Sequence, residues 1–205
     1  MARRENSEIN AGSMAYIAFL LLIFFLVTTT MDVDSGIARK LPEKSEDTPE
    51  VTIKQKNVLD ITVNRNNQIL IEGTDFVQVT DIRRIAMDFI DNGGGESAAK
   101  GDQPGKPCDY CKGAKDPASS DHPSKAIISL QSDRGTTYGV YISIQNEIEA
   151  AYNELRNRLA LEKYKRSYSD LLKDYNDNGG DKLKEKIDFL KDSYPQIITE
   201  PEPIK

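Results

Sequence analysis

Tryptophan is absent from these 205 residues, histidine occurs once and cysteine only twice. So thin a supply of imidazole and thiol leaves zinc-hydrolase and thiol-protease designs without their parts. Basic residues are outnumbered, 27 against 33 acidic, for a net charge of −6. A nucleic-acid partner calls for a basic stripe, so this balance argues against one. Charge and proline are both missing from Ser13 through Met31. In a chain this polar, that gap decides where everything else sits.

The run Ser13-Met-Ala-Tyr-Ile-Ala-Phe-Leu-Leu-Leu-Ile-Phe-Phe-Leu-Val-Thr-Thr-Thr-Met31 would be about 28 Å long as a helix, close to a bilayer's hydrocarbon thickness. A cleaved signal would need a positive start, a shorter apolar run and small residues before the cut. Here Arg3 and Arg4 are offset by Glu5 and Glu8, and no Ala-x-Ala precedes Asp32. A buried helix of a soluble domain fits less well, because the run is apolar on every face. A transmembrane helix over 13–31 is the expectation. Arg3, Arg4 and the amino terminus lie before it, with Asp32 and Asp34 directly after. The charge bias therefore puts a cytoplasmic tail at 1–12 and the rest of the chain outside.

Residues 32–57 carry charges, Pro42 and Pro49 and little apolar periodicity, the pattern of an extended linker. The folded domain is expected over 58–200, followed by a tail at 201–205. Val58-Leu-Asp-Ile-Thr-Val-Asn64 alternates, and Gln68-Ile-Leu-Ile-Glu72 follows a polar break, so the two read as a β-hairpin. Val79, Ile82, Ile85, Ala86, Phe89 and Ile90 recur at helical spacing, with Thr80 or Asp81 as the N-cap. Residues 93–124 are rich in Gly, Pro, Ser, Asp and Lys and read as a flexible surface insertion.

Ala126-Ile-Ile-Ser-Leu-Gln131 is a compact strand, and Ile144, Ile148, Tyr152, Leu155 and Leu159 mark a long amphipathic helix. The helix's Glu147, Glu149, Glu154, Arg156 and Arg158 read as a solvated face, and its pattern runs on through Tyr168, Leu171, Leu172 and Tyr175. A further helix carries Leu183, Ile187 and Leu190, and Pro195-Gln-Ile-Ile-Thr199 closes as a strand. The order β-β-α-β-α-α-β implies an α+β fold, one small sheet with helices on one side.

Glu8-Ile-Asn10 before the anchor, the anchor itself from Ser13 to Thr28, and Arg39-Lys-Leu41-Pro42 after it together resemble the ExbD/TolR family. These are single-span subunits of proton-driven inner-membrane motors. The resemblance covers about residues 8–160 and the last strand, but neither the cysteine-bearing insertion nor the helix near 181–193. It implies a dimer inside a ring of ExbB- or TolQ-like subunits, with a TonB-like protein or an envelope-maintenance system as receiver. It also implies that Leu41 and Pro42 form the family's linker motif.

Proton-conducting members place an aspartate where Tyr16 stands here. Ionisable groups inside a membrane are costly and are kept where protons must be accepted and released. A carboxyl titrates from about 3.9 and burial lifts it toward neutrality; a phenol starts near about 10 and burial moves it away. A tyrosine is a poor relay, and Asp32 lies about 24 Å along the helix from that position. Thr28, Thr29 and Thr30 offer hydrogen bonds and no proton carrier. The expectation is an accessory subunit in a homodimer or in a mixed dimer with an aspartate-bearing paralogue. A non-conducting scaffold, a disabled conventional subunit and an unrelated bitopic protein are the alternatives. Leu20, Ile23, Phe24 and Val27 would supply the helix-packing contacts.

Cys108-Asp-Tyr-Cys111 is a C-x-x-C pair in the insertion. A local disulfide, a partial zinc site with His122 and Asp109, or thiol exchange with a partner all use these residue types. The second half of a zinc motif is missing. The glycines at 93–95 follow a helix and do not open one, so no phosphate loop forms. Nothing supplies an enzyme, and no cofactor or metal is expected. A different class of function is peptide binding, through a free edge of the hairpin 58–72 or of the strand at 196–199.

Overall fold

The computed structural model describes residues 11–28, 53–73, 75–99 and 104–202. The chain divides into two compact units, Met1–Pro49 and Glu50–Lys205. In the first, helix α1 spans Ala11–Thr28. Its 18 residues make about 27 Å at 1.5 Å each, short of a hydrocarbon core of about 30 Å. The remainder of the expected span, 29–31, lies outside the described residues, as does the linker through residue 52. Among the described residues no helix is long and apolar enough to cross a membrane.

The second unit is built on a five-stranded sheet of order β3-β2-β1-β4-β5. These strands are β1 (Val58–Val63), β2 (Ile69–Ile71), β3 (Asp75–Val77), β4 (Ile127–Ser132) and β5 (Ile198–Thr199). A β1–β2–β3 meander is antiparallel, while β4 lies parallel to β1 on one side and to β5 on the other. The sheet is mixed because a meander uses tight turns, whereas β1 and β4 are joined by a crossover through a helix.

In β1 the alternation read from the sequence becomes burial, with Leu59, Ile61 and Val63 inside. Register then aligns Ile61 with Ile71 and Leu130, Val63 with Ile69, and Leu59 with Ile128. This face joins the apolar sides of helices α2 (Val79–Ile90), α3 (Tyr138–Tyr164), α4 (Tyr168–Asn178) and α5 (Asp181–Ser193) in one core. The opposite face, with Val58, Asp60, Thr62 and Leu70, is half-buried, and Phe76 on β3 is exposed.

Several boundaries differ from the sequence reading. Gln78 is the N-cap of α2, and its N–H donates to Asp81 at 3.4 Å, so Thr80 and Asp81 lie inside the first turn. The expected continuation of α3 is broken, because Lys165 takes a left-handed φ of 56°. Ser167 then caps a new helix by accepting from Asp170 N–H at 3.0 Å. Gly179 and Gly180, at φ 66° and 115°, make the turn into α5, a conformation that a side chain would strain. β3 was not anticipated. It pairs along β2, so the hairpin is covered and β3 forms the edge instead.

Candidate functional site

Tyr16, Leu20, Ile23 and Phe24 recur every three or four residues on α1 and so share one face, a spacing that Val27 continues. All four described side chains are exposed, as are their neighbours from Ala11 to Phe25. A helix that is apolar all round and unburied within its own chain needs lipid or another protein against it. Thr28 ends α1; Thr29, Thr30, Leu41 and Pro42 lie outside the described residues.

In the second unit, polar side chains converge where the insertion meets α2, α3 and α5. Cys108 and Cys111 form a disulfide and are buried. Their sulfurs are therefore not thiolates, which removes the partial zinc reading. Among the described residues no cluster of three His, Cys, Asp or Glu is placed to hold a metal. Gly93, at φ 64°, passes so close that an added Cβ would lie 2.8 Å from the Cβ of Cys111.

Asp91 closes α2 and accepts from three directions. Tyr194 Oη–H and an Arg158 N–H each reach its Oδ1 at 2.7 Å, and the backbone N–H of Lys112 reaches Oδ2 at 3.1 Å. Burial and the neighbouring Asp91 carboxylate push the Tyr194 phenol well above its usual range. Tyr110 donates to the Ser193 carbonyl at 2.8 Å, and burial with the charges of Asp109 and Asp91 raises its phenol to about 12. Arg156 donates twice to the Tyr194 carbonyl, at 3.1 and 2.7 Å. The α3 face read as solvated is thus divided. Arg156 is buried and Arg158 is paired to Asp91.

A second knot holds the other end of the insertion. The Asn92 side-chain amide donates to the carbonyls of Asp116 and Ser120, and its oxygen accepts from Asp116 N–H. Asp121 accepts from Asn57 at 3.2 Å and pairs with Lys56 at 2.5 Å. Burial opposes its ionisation, but hydrogen bonds from Lys56 and Asn57 and the charges of Lys56 and Lys54 hold the carboxyl below the usual range. His122 is buried against Tyr110 and shares a 2.9 Å contact with Ser124. Burial, then the charge of Lys125, lower its imidazole from the ordinary value. Among its described residues, the insertion read as a surface excursion therefore carries six that are buried, Cys108, Cys111, Ser120, Asp121, His122 and Pro123.

Sequence reasoning missed Asp91, Asn92, Asp121 and Tyr194. The available signal was polar residues next to a helix end and next to glycines, where backbone groups need partners. These networks fix the architecture and offer no nucleophile–base pair aimed at a pocket.

Among protein families, the model described as "Biopolymer transport protein ExbD/TolR" matches residues 2–160. No match was found among curated proteins or among solved structures.

Proposed function

Since the chain belongs to the ExbD/TolR family of biopolymer transport proteins, we propose that it is a single-pass subunit of a proton-motive-force-driven inner-membrane motor. That motor energises TonB-dependent transport across the outer membrane. On this reading 1–12 is cytoplasmic, 13–31 spans the bilayer, 32–57 is a linker, and 58–200 is a periplasmic head. Its partners are ExbB- or TolQ-like ring subunits, a TonB-like protein and a second subunit of its own kind. What supports the anchor is an uncharged run with no polar face, continuous with the family's entry motif at Glu8-Ile-Asn10.

What carries this chain's role in the proposal is Tyr16, a phenol in the uncharged run where we place the family's proton-carrying aspartate. A tyrosine there lacks the carboxyl that conducting members carry, so the chain serves as an accessory member beside an aspartate-bearing sister. Purifying the membrane complex and weighing its subunits tests this. The expected result is the sister chain in equal amount. A complex whose only family subunit is this chain favours a non-conducting scaffold.

A TolR-like or peptide-binding role is the second reading, favoured by two edge strands, β3 and β5. Deleting 1–31 separates the two. A peptide-binding head keeps its ligand after the deletion, whereas a motor subunit loses transport.

A further inference from the structure

Where β1, β4 and β5 begin, the second unit holds a half-open cavity of about 270 Å³. Its wall is aliphatic, made by Ile53, Ala98, Ile127 and Ile197. Lys54 and Lys125 stand beside that wall, with Asp121 as the acidic group. Asp121 is already matched, since Lys56 lies 2.5 Å and Lys54 3.8 Å from its carboxylate. Among the described residues, two lysines and one carboxylate line the cavity, and Lys56 outside the lining already pairs with that carboxylate, so the surplus at the lining is positive. Ser124 and Asn57 add further polar atoms to the lining, Asn57 being committed to Asp121 in both directions.

From this arrangement we infer that the cavity is a binding site for a medium-chain aliphatic carboxylate, the chain lying on the isoleucines and the carboxylate between Lys54 and Lys125. Volume limits the ligand, because the cavity is at the small end of ligand sites, about 300–1,000 Å³. A long acyl chain would not fit. Charge sets the sign, because ammonium groups flanking an apolar pocket reward an anion attached to an apolar tail. The inference goes beyond the motor reading and does not depend on it.

The test uses the full chain in lipid nanodiscs, with isoleucine δ1-methyl groups labelled for NMR and octanoate as the probe. Expected are saturable shifts at Ile53, Ile127 and Ile197, weakening as salt is raised. Acetate, lacking the tail, and 1-octanol, lacking the charge, should each bind more weakly. A Lys54→Glu/Lys125→Glu double variant should weaken octanoate at least about tenfold, with unchanged methyl positions in the core residue Ile82 confirming that the variant is folded. Shifts confined to Ile17 and Ile23 on α1 would mean partition into lipid and would overturn the site. Equal binding of octanol would overturn carboxylate recognition. The same shifts appearing on concentrating the protein without octanoate would make the pocket a self-association surface, and would also overturn the assignment.

Discussion

Removing the carboxylate of Asp91 strands three donors at once, the Tyr194 hydroxyl, Arg158 and the Lys112 amide. Buried donors without acceptors are costly. Asp91→Ala should therefore lower stability by about 1–3 kcal/mol, read from urea unfolding, with Asp91→Asn losing less. His122 gives a pH signature. Its folded value lies below the ordinary imidazole value, so as pH falls the unfolded chain binds a proton that the folded chain refuses. Stability is full above about pH 6.5 and declines as acid is added. His122→Gln should flatten the unfolding midpoint between about pH 7 and pH 5. The role of Asp91 was not legible locally, because its side-chain partners are remote. Arg156 meets Tyr194 across 38 residues and Tyr194 meets Asp91 across 103. Periodicity along α3 reports which side of the helix is apolar, not what arrives to neutralise a charge at its border.

At the level of elements, β1, α2, β4 and the apolar stripe of α3 were readable because each carries its own period of two or 3.6. β3 has only three residues, Asp75–Val77, too few for a period, and exists because β2 offers it an edge. The α3–α4 break was hidden for a different reason. Apolar spacing continues across it, and only the left-handed backbone of Lys165 marks the stop. The insertion misled by composition, since glycine, proline and serine suit a wet loop but equally a segment pinned by a disulfide and by Asn92. Cys108→Ser opens a ring with a sequence separation of only 3. It should cost about 2 kcal/mol, at the low end because the closed loop is short. Limited proteolysis should then cut within 104–122 before it cuts β1 or α3.

For the whole molecule, the expected architecture of one sheet with helices against one face is present in the second unit, and the family assignment agrees with the motifs read around α1. What periodicity could not supply was strand order, because parallel pairing of β1 with β4 is decided by a crossover and not by either strand's sequence. The division at residue 50 has a direct consequence for stability. A fragment of residues 50–205 should unfold in one cooperative urea transition, since it contains the entire core. Ending that fragment at Tyr194 should abolish the transition or leave an aggregating product, because β4 would lose the neighbour that β5 provides.

The order of the strands also bears on how the chain is made. Synthesis delivers the β1–β2–β3 meander early, yet β1's second neighbour arrives only with Ile127, and β4's outer neighbour only with Ile198, after α3, α4 and α5 have been made. Until Ile198 emerges, the nascent chain is therefore obliged to travel with a raw strand margin, which is the condition in which chains mispair. A holdase present during synthesis should therefore raise the yield of folded protein, and a truncation just before Ile198 should be far more harmful than the loss of a two-residue strand suggests.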